Sequence, residues 1–226
     1  MIDWSPVFLS LHLALVSTVV LFLVGTPLAW WLARSRSRFR PITEAIVALP
    51  LVLPPTVLGF YLLILLNPQS AIGGLWVTVT GGSLTFSFSG LVVASVLYSL
   101  PFMVQPLQTA FSGVSSALLE AGATLGASPA DCFRHVVVPM SRRGFLAAGV
   151  LSFAHTLGEF GVVLMIGGNI PGETRVLSIA IYEHVETLDY ASAHTLAAGL
   201  LFFSFLVLLV VYASNRRSLY DHGDAA

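Results

Sequence analysis

Five long apolar stretches alternate with shorter polar segments along the chain, at residues 8–33, 46–66, 90–111, 144–166 and 191–214. Each is near the roughly 20 residues that a helix needs to cross a hydrocarbon core about 30 Å thick. The pattern predicts an all-α integral membrane protein of about five transmembrane helices, built as one domain over 1–226. The first stretch follows Asp3 and no basic residue, and it outruns a signal-peptide core, so it is expected to remain as a span.

The polar segments differ in character. Residues 67–89 are rich in Gly, Ser and Thr and alternate in VTVTGGSLTFSF. A hairpin about Gly81 and Gly82 would fit, although an irregular loop is the expected form. Residues 174–187, with Leu188 just beyond, set Leu177, Ile181, Val185 and Leu188 at near-helical spacing, with Glu183 and Glu186 between them. This predicts a short amphipathic helix at the outer interface, with a partial sixth span as the alternative. Pro50, Pro54 and Pro55 interrupt the second stretch, and Pro101 and Pro106 the third. Each removes a backbone donor and bends its helix. Such bends are either packing kinks or the walls of a pathway whose neighbours satisfy the freed carbonyls.

The connection at 112–143 carries the most information. Residues 117–125 favour a helix that Gly126 should end, and Ser128-Pro129-Ala130-Asp131 should start another. Ser128 is the expected N-cap, Pro129 the first helical residue and Asp131 the capping-box partner, with Pro139 as the stop. The product is a helix–Gly–helix element. Ala130, Phe133 and Val137 fall on one side of its second helix, with Arg134 and His135 beside them. That ridge would either enter a partner's groove or pack back on the chain's own helix ends.

Composition turns the pattern into a membrane assignment. Charged residues make up 9% of the chain and apolar types 56%, with a mean hydropathy of +0.89. A soluble domain carries about 25% charge, so most of this surface is solvated by lipid. All ten basic residues are arginines, because the sequence contains no lysine. Arg34, Arg36, Arg38 and Arg40 follow the first stretch, Arg134, Arg142 and Arg143 lie between the third and fourth, and Arg216 and Arg217 follow the fifth. By the positive-inside rule the N-terminus faces out, the C-terminus faces the cytoplasm, and 112–143 is cytoplasmic. Trp4, Trp30 and Trp31, near the ends of the first span, read as interface anchors.

The same inventory excludes some chemistry. Without lysine no Walker A loop can form, so the chain is expected to be no enzyme and to leave ATP hydrolysis to another subunit. Cys132 is the single cysteine, and with His135 it offers two ligands, too few for a metal site. No cofactor is expected. His155 and Glu159 lie one turn apart within the fourth stretch and are too costly to face lipid. Glu159 is therefore either hydrogen-bonded to His155 or backbone, or part of a gate. The outer segments hold Asp3, Glu173, Glu183, Glu186 and Asp189 against Arg175, which would pair with Glu173 or meet an arriving partner or anion.

Glu120-Ala121-Gly122, followed by Gly126, Phe133 and Pro139, resembles the "EAA" loop of binding-protein-dependent ABC-importer permeases, with Gly122 where alanine is usual. Gly158-Glu159-Phe160-Gly161, the run NIPGETR from Asn169 to Arg175, and LPLVLPPTVLGFYLL at 49–63 resemble the molybdate branch of that family. Sulfate and tungstate permeases share similar stretches. The likeness covers essentially the whole chain. It implies a MetI-like importer-permease bundle in the inner membrane, working by alternating access. It also implies a second copy of the chain, two cytoplasmic ABC ATPase subunits and an extracytoplasmic oxyanion-binding protein as partners, with no role for nucleic acid. Glu120, Ala121, Gly122, Gly126, Ser128, Pro129, Ala130, Phe133, Arg134, Val137 and Pro139 would form the ATPase-coupling loop. His155, Gly158, Glu159, Gly161 and Arg175 would border the pathway or its gate. A secondary transporter with Glu159 as its proton site is the alternative of a different class.

Overall fold

A bilayer offers backbone groups no water, and among the described residues the chain meets that demand with helices alone. The computed structural model describes residues 3–220, with side chains to residue 209; the expected cytoplasmic charges Arg216 and Arg217 lie outside the described side chains. Three helices are long and apolar enough to cross on their own: α1 (Ser5–Arg34), α5 (Phe88–Ser112) and the first twenty residues of α12 (Tyr190–Tyr220). Two further pairs of bent helices, within 40–66 and 129–158, bring the number to as many as five, the span in the second pair being its longer member, Arg142–Gly158.

α1 turns one face inward, burying Leu13, Ala14, Ser17, Leu21, Gly25, Ala29 and Leu32 at intervals of one helical turn. That face packs on α5 and on α9 (Arg142–Gly158), making α5 the central post of the bundle. Helices in lipid gain little from the hydrophobic effect against one another, so close approach of small residues holds them. A Cβ on Gly25 would sit 2.7 Å from Met103 Cγ, and one on Gly144 would overlap Ala110 Cβ.

The second span is broken, not merely kinked as 46–66 suggested. α2 (Arg40–Val52) and α3 (Pro55–Leu66) meet at 114°. Leu53, ahead of a proline, is extended with ψ 136°, and Pro54 and Pro55 have no N–H with which to continue a ladder. Pro101 and Pro106, by contrast, lie within the unbroken α5.

Two polar connecting segments also differ from expectation. Where a loop or hairpin was anticipated, α4 (Ala71–Thr80) forms. Ser70 Oγ accepts the Gly73 N–H at 2.9 Å to start it, and Gly81 at φ 75° ends it. The β-branched alternation VTVT is overridden because a capped helix satisfies its own backbone. The amphipathic segment becomes α11 (Leu177–Glu186), about 15 Å long and too short to be a sixth span. It docks on α1 and α12, burying Leu177, Ile179 and Ala180, while Val185 and Leu188 stay exposed. Ser10 Oγ of α1 accepts the Leu177 N–H at 2.7 Å, so the bundle itself supplies the start of α11.

Candidate functional site

The helix–Gly–helix element forms with the expected punctuation. α6 (Ser116–Thr124) is capped by Ser115 Oγ and ends in a Schellman turn, with Ala127 N–H bonded to Gly122 O and Gly126 N–H to Ala123 O, both at 3.0 Å. Gly126 has φ +85°, a left-handed position that favours glycine. α7 (Pro129–Cys132) opens with a complete capping box: the Asp131 N–H donates to Ser128 Oγ, and Ser128 N–H donates back to Asp131 Oδ2 at 3.1 Å. Hydrogen bonds from the Ser128 hydroxyl and backbone hold the Asp131 carboxyl below the usual carboxylate range.

Gly122 departs from the family pattern for a steric reason. A Cβ there would lie 2.9 Å from Sγ of Cys132, which is buried beneath it. The glycine and the cysteine fit one another across the turn.

Beyond Cys132 the helix widens into a π-turn at Phe133–Val137, in which Val138 N–H reaches Phe133 O. Pro139 has no N–H to give the carbonyl of His135, and the ladder slips by one residue ahead of it. Pro139 does not stop the helix, as had been expected. The run continues through α8 (Val138–Met140) to Ser141, where the chain turns 74° into α9.

The structure decides which way the apolar ridge points. Val137 is fully buried, and Phe133 lies edge-on to Trp30 at 5.3 Å and to Phe111 at 6.0 Å. Both pack back on the chain's own helix ends. The outward surface instead presents Glu120, Leu125, Ala130, Arg134, His135 and Pro139, with Leu125 89% exposed. Trp30 is accordingly an internal contact, not the free interface anchor expected of it.

The second group of expected site residues lies at a break in the fourth span. α9 ends at Gly158, Glu159 is extended with ψ 139°, and α10 (Gly161–Gly167) resumes after Phe160. The run Gly158 to Gly161 is therefore a discontinuity, which the apolar pattern did not reveal. A Cβ on Gly161 would lie 2.7 Å from Pro55 Cβ, so the breaks in the second and fourth spans pack against each other. Gly158 faces open space.

His155 and Glu159 do not pair. His155 Nδ1 bonds Ser99 Oγ at 2.9 Å, and its ring stacks on Phe102 at 4.0 Å. The Glu159 side chain is buried, and neither carboxyl oxygen has a hydrogen-bond partner among the described residues. Ser95 Oγ faces it without hydrogen-bond geometry. A carboxyl left so in the bundle costs stability, a pattern commoner at working positions than at structural ones. The Glu159 carbonyl accepts from Ser178 Oγ, tying the break to α11.

In the segment after α10, Arg175 pairs with Glu183 at 3.3 Å and donates to Asn169 Oδ1 at 2.7 Å; Glu173 is not its partner. Thr174 Oγ1 donates to Gly167 O at 2.7 Å and accepts the Ile170 N–H, so the run from Asn169 to Arg175 folds into a turn closing the end of α10. Arg34, Trp30, Ser95 and Ser99 are contacts that sequence reasoning missed. Their partners lie more than fifty residues away, and no local spacing marks them.

The chain is a helical membrane bundle with two broken spans and a capped helical hairpin at one end, and its family makes it a transport component. Residues 25–219 match the family described as "Binding-protein-dependent transport system inner membrane component", and the chain belongs to that family. It is 58% identical to the molybdenum transport system permease protein ModB of Azotobacter vinelandii over 95% of both chains. It is 35% identical to ModB of Escherichia coli (strain K12), covering 82% of this chain and 81% of that one. A probable sulfate transport permease of Chlorella vulgaris is 32% identical over 92% of this chain and 78% of its own. Among solved structures, the fold matches an inward-facing MetNI methionine ABC transporter with a TM-score of 0.72 at 19% identity, covering 94% of each chain.

Proposed function

We propose that the chain is the membrane-spanning permease subunit of an ATP-driven importer that carries molybdate inward by alternating access. The observation that carries this reading is the capped hairpin of α6 and α7. It is an outward-facing polar and apolar surface rigidly built at the end of the bundle, of the kind that docks in a partner's groove. Glu120, Leu125, Ala130, Arg134 and His135 would meet an ATPase subunit, while Gly122, Gly126, Ser128, Pro129, Phe133, Val137 and Pro139 shape and seat the hairpin.

The arginine distribution supports a cytoplasmic hairpin and an N-terminus outside. Two copies of the chain would enclose the pathway, joined by two ATPase subunits. An extracytoplasmic binding protein would deliver the oxyanion, since the outer acidic residues disfavour long-range steering of an anion. The packed breaks at Leu53–Pro55 and Glu159–Phe160 are the best-placed hinge for a gate. Full-length likeness to molybdenum permeases favours molybdate over sulfate. The test is ATP hydrolysis by the reconstituted complex with molybdate, tungstate or sulfate on its binding protein. Molybdate is expected to stimulate most, and preferential stimulation by sulfate would overturn the substrate assignment.

A further inference from the structure

Trp30 and Arg34 sit one turn apart on the last turns of α1, far in sequence from the coupling hairpin. The Arg34 guanidinium lies 5.0 Å from the centroid of the Trp30 ring, over its face. Its Nη2 donates to the carbonyls of Phe111 at 3.2 Å and Val114 at 2.7 Å, where α5 ends and the segment leading to α6 begins. Phe111 O, in the last turn of α5, also accepts the Val114 N–H at 3.2 Å, and a cation is favoured beside carbonyls at a helix C-terminus. The edges of Phe111 at 5.6 Å and Phe133 at 5.3 Å meet the same indole. One aromatic–guanidinium pair thus touches the end of the first span, the end of the third, and the π-turn of the coupling segment. The surrounding core includes Leu107, Val137 and Phe145, so the pair is set in packed structure and not at a loose edge.

Phe133 and Val137 face this cluster and not the outward surface, which makes the cluster the connection between α7 and the two spans. We infer that Trp30 and Arg34 form the joint that carries movement of the coupling segment into the first and third spans. They are positioning residues, touching neither substrate nor nucleotide. The inference rests on the reading of α6 and α7 as the ATPase-docking hairpin.

The test uses the full permease with its ATPase subunits in proteoliposomes, supplied with binding protein and molybdate. It reads the ATP hydrolysed per molybdate imported. Trp30→Leu and Arg34→Gln are expected to raise that ratio about three- to tenfold, the range expected when one link of a coupling network is cut. Recovery of ATPase subunits with the permease should match the parent. Arg34→Lys, whose ammonium can still donate to the α5 carbonyls, should return the ratio toward the parent. Trp31→Leu, at the exposed neighbouring position, should leave it unchanged. Should Trp30→Leu fail to assemble, Trp30→Phe keeps an aromatic edge for Phe133 and should give an intermediate ratio. A parent complex that imports while Trp30→Leu or Trp30→Phe keeps the parental ratio overturns the joint alone. A parent complex that imports nothing overturns the functional reading and the joint with it.

Discussion

Replacing Gly122 by alanine would restore the usual third letter of the family's Glu-Ala-Ala pattern, yet here it should loosen the coupling hairpin. The added Cβ would lie 2.9 Å from Cys132 Sγ, closer than such contacts allow, and Cys132 is buried, so its sulfur has to shift within packed surroundings. Overpacking of this kind costs about 1–3 kcal/mol. Alanine recovers about 0.5–1 kcal/mol by stiffening a helical position, leaving a net loss of about 1 kcal/mol. Cys132→Ala removes the obstructing sulfur. In that background the same Gly122→Ala change should stabilise by about 0.5–1 kcal/mol. The sign of the effect therefore depends on residue 132. Amide hydrogen exchange across 117–137 in the purified complex measures it, with about 1.4 kcal/mol appearing as a tenfold change in protection. If Gly122→Ala shifted protection equally with and without Cys132, the two side chains would not be in steric register and the reasoning would fail.

The remaining predictions follow from single contacts. Gly126→Ala should destabilise the hairpin by about 1–2 kcal/mol through its left-handed backbone, with Gly126→Asn costing less, as exchange at 123–128 would report. Gly161→Ala should cut uptake strongly because its Cβ would strike Pro55, whereas Gly158→Ala meets open space and should transport like the parent. The Asp131 carboxyl is held below its ordinary value of 3.8 by Ser128, so its capping contribution is present above that pH and is lost as pH falls through the lowered folded value. Ser128→Ala should move the Asp131 titration upward toward 3.8, read by carboxyl carbon NMR; an unmoved titration would contradict the capping box.

Much of this architecture is legible because its causes are local. Apolar runs mark the spans, and Ser128, Pro129, Asp131 and Gly126 punctuate the hairpin through bonds made within four residues. What escaped the sequence is non-local. Phe133 and Val137 form a ridge whose direction is set by Trp30 and Phe111, respectively about 100 and about 20 residues before Phe133, and no spacing rule reaches that far. The break at Glu159 and Phe160 is equally hidden. No proline marks it and the apolar stretch resumes on both sides, and it is held by contacts from elsewhere, Ser178 on the Glu159 carbonyl and Pro55 against Gly161. The sequence marks Gly122 only as a departure from the usual alanine, and its steric reason, the Cys132 sulfur, lies across a turn. The helix α4 was missed for another reason: alternation of β-branched residues signals a strand in water, but not in a setting where backbone satisfaction dominates.

The central claim is that ATP, acting through a partner on this hairpin, drives molybdate through the bundle. Molybdate uptake into proteoliposomes holding the permease, its ATPase subunits and binding protein measures it directly, with ATP and a proton gradient supplied separately. The account predicts uptake with ATP alone, none with the gradient alone, and weak competition by excess sulfate. Uptake driven by the gradient without ATP would contradict it and point to Glu159 as a proton site in a different class of transporter.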